Sequence, residues 1–128
     1  MIFGFVPPPY GALWPSIETL LERAVRWGRN SWDEVKADLE SNRAQLWLTV
    51  TDRPIVALVT RMDGNTFEVW LVGGDVLSGS LPFLETAISA AKQAGATNGR
   101  IIGRKGWARV LKPYGWRQDG DCLVKDWI

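Results

Sequence analysis

QLWLTVTDRPIVALVTRMDGNTFEVWLV, residues 45–72, is a stretch in which three strands are predicted to follow one another. Residues 45–51 alternate between faces, with Leu46, Leu48 and Val50 on one side, which is typical of a strand. Residues 54–61 are a nearly continuous apolar run, as expected of a strand that is covered on both faces. Asp63-Gly64-Asn65 predicts a hairpin turn, and residues 66–72 form the returning strand. The stretch therefore predicts an antiparallel meander.

Two helices are predicted before this meander. The first begins near Ser16, a favourable N-cap, and ends at Gly28. Ser31 and Glu34 have the spacing of a capping box, which opens the second helix. Residues 1–13 predict a strand or an extended arm. Apolar residues recur at helical spacing in both helices: Ile17, Leu20, Leu21, Ala24 and Val25 in the first, and Trp32, Val35 and Leu39 in the second.

The part that follows the meander alternates between helices and strands. A glycine-containing loop over 73–80 precedes a helix over 81–94, a short strand over 100–103 and a short helix over 105–112. Residues 116–127 predict a final strand or hairpin. The order is β-α-α-β-β-β-α-β-α-β(β), which indicates an α/β fold with a mixed sheet and helices on both faces. A chain of 128 residues fits one domain, so we expect 1–128 to be a single domain.

Composition excludes several classes of site. The sequence has no histidine, which excludes Ser-His-Asp and Cys-His catalysis and makes a metal site of the usual Cys/His kind unexpected. Its one cysteine, Cys122, cannot form an intramolecular disulfide, which suits a reducing compartment. The sequence contains no run of about 18 apolar residues, so it predicts no membrane-spanning helix. We therefore expect a cytoplasmic protein.

The element order and the segment IIGRKGWARVLKPYGW, residues 101–116, resemble the GNAT N-acetyltransferases. In that family a strand leads to a short helix and then to a glycine-aromatic step. Together with QLW at 45–47 and the pair Gly73-Gly74, the segment is similar to short GNAT-like proteins of tailed bacteriophages and prophages. The resemblance covers residues 14–128 and implies a GNAT-like fold, with acetyl-CoA as the cofactor of any active member.

The resemblance also implies where acetyl-CoA would bind. In catalytic members the loop after the fourth strand reads Gln/Arg-x-x-Gly-x-Gly/Ala, and its backbone N–H groups hold the pyrophosphate. The corresponding loop here lacks that spacing. Its glycines are compatible with a tight connection between strand and helix, or with a degenerate anion cradle. The candidate cofactor residues are Val72, Gly73, Gly74, Gly79 and Ser80.

Two candidate catalytic residues follow from the same comparison. Family members commonly place a tyrosine, the general acid, four residues before the glycine-aromatic pair, where this chain has Leu111. Tyr114 stands next to Gly115 instead, so it is a weak candidate for the acid. Glu68, on the third strand of the meander, is a weak candidate for the base, although an exposed carboxylate with no catalytic role is the more common situation.

A basic tract runs from Thr86 to Gln118, with seven lysines and arginines and no acidic residue, in a chain of net charge +1. If the short helix forms, Lys105, Arg109 and Lys112 share one face, and Arg104 lies beside them. Three interpretations are open: a solvated helix face, a contact with an acidic protein partner, or a phosphate-binding surface.

These observations lead to a main functional hypothesis and two alternatives. The main hypothesis is a phage or prophage GNAT-like protein, non-catalytic or degenerate, that binds a protein partner in a virion or its assembly. It would lie in the host cytoplasm or the virion. The first alternative is an acetyl-CoA-dependent N-acetyltransferase that uses the backbone amides of Val72, Gly73 and Gly74. The second is a nucleic-acid-binding module that uses the basic residues within 100–117.

Overall fold

The computed structural model describes residues 2–28, 30–74, 81–102 and 106–127, without the side chains of 81–83 and 106. These residues form one mixed α/β architecture, and they contain no helix that is long and apolar enough to cross a membrane. In chain order the elements are β1 (Ile2–Val6), α1 (Trp14–Trp27), α2 (Trp32–Glu40), β2 (Ala44–Val50), β3 (Pro54–Asp63), β4 (Thr66–Gly74), α3 (Leu81–Gln93), β5 (Asn98–Ile102), α4 (Gly106–Leu111), β6 (Arg117–Asp119) and β7 (Cys122–Asp126). Short 3₁₀ turns at Gly11–Leu13 and Lys112–Tyr114 precede α1 and follow α4. The predicted order of elements is confirmed.

The strands form one seven-stranded sheet in the order β1-β2-β3-β4-β5-β7-β6. Every neighbouring pair is antiparallel except β4 and β5, which are parallel. The connection between those two strands contains α3, because parallel neighbours need a crossover that returns to the same end of the sheet. The predicted meander is β2-β3-β4, and its second strand is buried on both faces as expected.

The register of the β3–β4 pair shifts once. Val59 lies opposite Leu71, whereas the next residue, Thr60, lies opposite Val69. Trp70 is therefore an extra residue on β4, which is the arrangement of a β-bulge. A bulge changes the direction of its strand, and this one lies just beyond the residue at which β4 stops pairing with β5.

Each face of the sheet carries its own hydrophobic core. Helices α1 and α2 cover one face, where Ile17, Leu21 and Leu39 pack on Leu46 and Val59. Helix α3 and the segment around α4 cover the other face, where the core contains Ala87, Ile88, Leu111, Leu58 and Ile101 among others. The alternation of side chains along a strand assigns successive residues of β3 to opposite cores.

The predicted start of the first helix is wrong by a few residues. Helix α1 begins at Trp14 rather than after a cap at Ser16, because Pro15 fits the first helical turn, where no backbone donor is needed. Leu20 and Ala24 are half-buried beside the fully buried Ile17 and Leu21.

The start of α2 agrees with the predicted cap. The Ser31 side chain accepts a hydrogen bond from the Glu34 backbone N–H at 3.1 Å.

The fourth predicted helix ends earlier than expected, because Lys112 belongs to the 3₁₀ turn and not to α4. Gly115 follows with φ +92°, a left-handed conformation that ends this segment before β6.

Candidate functional site

The middle of the sheet contains a point at which two parallel neighbours part. Residues Thr66–Val69 of β4 pair with Asn98–Ile101 of β5, and among the described residues no pair follows Val69–Ile101. Strand β4 nevertheless continues for five residues, to Gly74. In the described part of the chain, residues 70–74 therefore have no neighbouring strand on their β5 side. This opening, next to the bulge at Trp70, is the central feature of the site.

A pocket lies beside this opening, on the face that carries α3 and α4, and we call it the β4–β5 pocket. Its cavity volume is about 20 Å³, which is enough for one or two water-sized groups. Its walls come from five strands and two helices, and all but one of the side chains are apolar. They are Phe3, Thr49, Val56, Leu58, Val69, Val72, Leu84, Ile101 and Trp107. A ligand group that enters must therefore be small and apolar.

Thr49 is the one polar residue in this wall. It is completely buried, and no group in the described residues forms a hydrogen bond with its Oγ1. A second buried threonine on the neighbouring strand differs, since Thr60 Oγ1 accepts a hydrogen bond from Trp47 Nε1 at 3.0 Å. A buried hydroxyl without a partner costs free energy, so its position in a pocket wall makes Thr49 notable.

Glu68, the candidate base, is buried rather than exposed: only 2% of its surface is accessible. The expectation of an exposed strand carboxylate was therefore wrong. Its two carboxylate oxygens are held by two arginines from the flanking strands, Arg61 of β3 and Arg100 of β5. One of these contacts runs from Arg100 Nε at 2.8 Å. The carboxylate is buried because two guanidinium groups neutralise its charge and satisfy its oxygens.

The arginines of this cluster have further contacts. The Arg61 guanidinium lies 4.0 Å from the ring centroid of Trp70, a cation–π arrangement. Arg100 also reaches Asp63 at 3.4 Å. The hydrogen bond with Glu68 raises the pKa of Arg100 above its ordinary value, and the Glu68 and Asp63 charges act in the same direction. The four charges compensate one another, so the cluster ties three strands together.

The candidate cofactor residues at the end of β4 have different surroundings. Val72 is half-buried and lines the pocket. A Cβ on Gly73 would collide with the backbone carbonyl of Leu20 in α1, so this glycine permits the helix to approach the strand. Gly74 has φ +102°, and a Cβ there would collide with the Ile55 carbonyl. Packing therefore accounts for both glycines. Gly79 and Ser80 lie outside the described residues.

Tyr114, the candidate acid, lies in the 3₁₀ turn after α4. Its side chain is 48% exposed and is not among the residues that line the pocket. Lys125 Nζ donates a hydrogen bond to its backbone carbonyl at 2.7 Å. Leu111 is completely buried in the core beneath α3 and α4. The structure thus places Tyr114 at the surface and an apolar residue in the interior.

The basic tract is divided among several environments. Arg109 and Lys112 are exposed, the first in α4 and the second in the 3₁₀ turn, whereas Arg104 and Lys105 lie outside the described residues. Arg100 belongs to the Glu68 cluster, and Arg117 pairs with Asp126 at 3.1 Å. Of the predicted shared face, the structure describes Arg109 and Lys112, and Lys112 lies in the 3₁₀ turn beyond the end of α4.

Comparison with known proteins gives a clear result for structure and none for sequence. No protein-family model and no curated protein matches the sequence. Among solved structures, a probable acetyltransferase from Staphylococcus epidermidis superposes with a TM-score of 0.73 at 9% identity, over 99% of both chains. A GNAT family acetyltransferase from Elizabethkingia anophelis, with acetyl-CoA bound, gives a TM-score of 0.69 at 16% identity, over 98% of both chains. The PaiA N-acetyltransferase from Thermoplasma acidophilum, in complex with coenzyme A, gives 0.67 at 14% identity, over 99% of this chain and all of that one.

The chain has the GNAT acetyltransferase fold. The fold predicted from the sequence is confirmed over nearly the whole length. The GNAT fold here includes the parallel β4–β5 pair and its opening, which the sequence pattern did not locate. The pocket residues Phe3, Thr49 and Trp107 were missed as well, because they come from three distant parts of the chain and form no local motif. The proposed relationship to phage proteins stays a prediction that no comparison addresses.

Proposed function

We propose that this protein is an acetyl-CoA-dependent N-acetyltransferase. The observation that carries the proposal is the opening between β4 and β5 after Val69–Ile101, with a small apolar pocket beside it. A strand edge without a neighbour offers backbone donors to an extended ligand arm. The apolar pocket accepts a group about as large as a methyl.

The residues present fit acetyl-CoA at this position. When bound, acetyl-CoA supplies an acetyl group activated as a thioester. Val72 and Trp107 would flank the acyl end, and the backbone of residues 70–74 would hold the adjoining arm. The apolar walls exclude water, which protects a thioester from hydrolysis.

The solved structures support this proposal more than the non-catalytic hypothesis. Two of those described above contain acetyl-CoA or coenzyme A, and both match over at least 98% of this chain. The resemblance is to the whole fold, including the strands that frame the opening.

The chain's own residues favour catalysis by positioning. The carboxylate oxygens of Glu68 both accept hydrogen bonds from arginines, Arg61 and Arg100. Tyr114 lies outside the pocket. The sequence has no histidine. We therefore expect the acceptor to be an amine that is already unprotonated when it attacks, so that acetyl transfer becomes faster with rising pH.

The first prediction concerns the pocket wall. Val72→Phe should fill the cavity and weaken acetyl-CoA binding at least about tenfold. A loss of about 1.4 kcal/mol of binding free energy is enough for that factor. Isothermal titration calorimetry of the wild type and the variant measures it, with thiol release from acetyl-CoA in the presence of amines as the activity readout. Val124→Phe is the matched control, since Val124 is also half-buried but lies on β7 away from the pocket.

Two results would contradict the proposal. One is a wild-type protein that gives no saturable heat with acetyl-CoA and releases no thiol with any amine tested. The other is a Val72→Phe variant that melts like the wild type and binds acetyl-CoA equally well, since the cofactor would then lie elsewhere.

A further inference from the structure

The edge of the sheet formed by β1 is unusually apolar. Strand β1 reads Ile-Phe-Gly-Phe-Val, with no charged residue and no proline within Ile2–Val6. Ile2 is 73% exposed and Phe5 is 44% exposed. In the part of the chain that the structure describes, β2 is the only strand beside it. An exposed apolar edge strand invites pairing with another strand.

The opposite edge of the sheet is protected. Strand β6 has three residues, all exposed, and two of them are the charged Arg117 and Asp119. Short edge strands and charged side chains are the usual means by which proteins prevent unwanted pairing. The contrast between the two edges suggests that β6 faces solvent and that β1 is covered in the working molecule.

We propose that β1 pairs antiparallel with β1 of a second copy of this chain, about a two-fold axis at Gly4. The sequence of the strand is nearly symmetric about this residue. Pairing centred there places Ile2 opposite Val6 of the other copy, Phe3 opposite Phe5, and Gly4 opposite Gly4. Each position thus meets a residue of its own type, which is what a self-complementary interface requires.

The aromatic side chains near the edge support this register. Phe3 stacks on Trp47 with ring centroids 5.5 Å apart, and Phe5 meets the same indole edge-on at 5.7 Å. All three lie on the α3 and α4 face, since alternate residues of a strand share a face. In the paired arrangement the exposed Phe5 of one copy lies beside Phe3 of the other, so that a row of aromatic rings continues across the dimer interface.

The charges on β6 argue against the alternative, in which β1 of one copy pairs with β6 of the next. That contact would place Arg117 and Asp119 along an apolar strand, and it would build an open chain of molecules instead of a closed dimer. The test of the dimer measures oligomeric state and not acetyl-CoA binding, so the two proposals can fail separately.

The second prediction is a charge-exchange test at Gly4. A Cβ at Gly4 would meet no described atom within 4 Å, so a side chain fits there in a single copy. We expect the wild type to be a dimer by light scattering coupled to size-exclusion chromatography at micromolar concentration. Gly4→Lys and Gly4→Glu should each be monomeric, because like charges would face each other across the axis. A mixture of the two variants should form a heterodimer.

Two controls separate this effect from misfolding. Gly4→Ala adds a methyl without charge and should remain a dimer. Gln118→Lys adds the same charge to the opposite edge and should also remain a dimer. A monomeric wild type, a dimeric Gly4→Lys variant, or a mixture that does not form the heterodimer would each overturn the proposal. The thermal unfolding of every variant establishes that it is folded.

Discussion

At the scale of single residues, two buried threonines on neighbouring strands show how the surroundings of a hydroxyl decide its contribution to stability. Thr60 accepts a hydrogen bond from Trp47, whereas Thr49 lines the β4–β5 pocket and has no partner in the described residues. The sequence places both in strands and does not distinguish them. The difference arises from which side chain of the next strand can reach each hydroxyl.

The third prediction follows from this difference. Thr49→Val should raise the free energy of unfolding by about 1 kcal/mol, because it replaces an unpartnered buried hydroxyl with a methyl of the same shape. Thr60→Val is the matched control, and it should lower the free energy of unfolding by about 1 kcal/mol by leaving the Trp47 N–H unpaired. Urea denaturation measures both. A Thr49→Val variant that is less stable than the wild type would indicate that this hydroxyl has a hydrogen-bond partner after all.

At the scale of elements, the contact between α1 and β4 depends on a glycine. Gly73 lies against the backbone of Leu20 and Leu21, so the helix approaches the strand more closely than any side chain would permit. The glycine pair that suggested an anion cradle therefore has a structural function. Because α1 packs at this end of β4, the same glycine fixes the helix beside the opening between β4 and β5.

The fourth prediction tests this packing. Gly73→Ala should lower the free energy of unfolding by about 2–3 kcal/mol, since the added methyl must displace helix backbone. Gly4→Ala, in a strand position with open space around it, should be neutral or slightly stabilising, because glycine is the less favourable residue in a strand. Thermal unfolding of the two variants compares them. Equal melting temperatures would mean that α1 can move away from β4 at little cost.

The elements also mark the limit of what the sequence predicts. The meander, the order of the elements and the cap at Ser31 are local patterns, and the structure agrees with them. The surroundings of Glu68 are not local, since its partners stand 7 positions before and 32 positions after it in the chain. The pocket is not a local feature of the sequence either. Its walls come from seven different elements, so no spacing in the sequence reveals it.

At the scale of the whole molecule, the sheet consists of two parts that meet at β4 and β5. Within the described residues, the antiparallel part β1–β4 joins the part β5–β7 through four residue pairs. Arg61, Glu68 and Arg100 lie across this junction and connect β3, β4 and β5. The opening that we assign to acetyl-CoA begins at residue 70, two residues beyond Glu68, so the cluster holds the two strands together just before they separate.

The fifth prediction concerns this junction. Glu68→Gln should lower the free energy of unfolding by about 2–3 kcal/mol, because it leaves two arginines without their buried counter-charge. The loss should be smaller than for a fully buried pair, since both arginine side chains are about one-third exposed. Asp126→Asn removes an exposed ion pair with Arg117 and should change stability by less than about 1 kcal/mol. Hydrogen exchange should accelerate in β5 and β7 as well as in β3 and β4, because the junction links both parts of the sheet. A Glu68→Gln variant with wild-type stability and exchange but without acetyl transfer would show instead that Glu68 acts as a base.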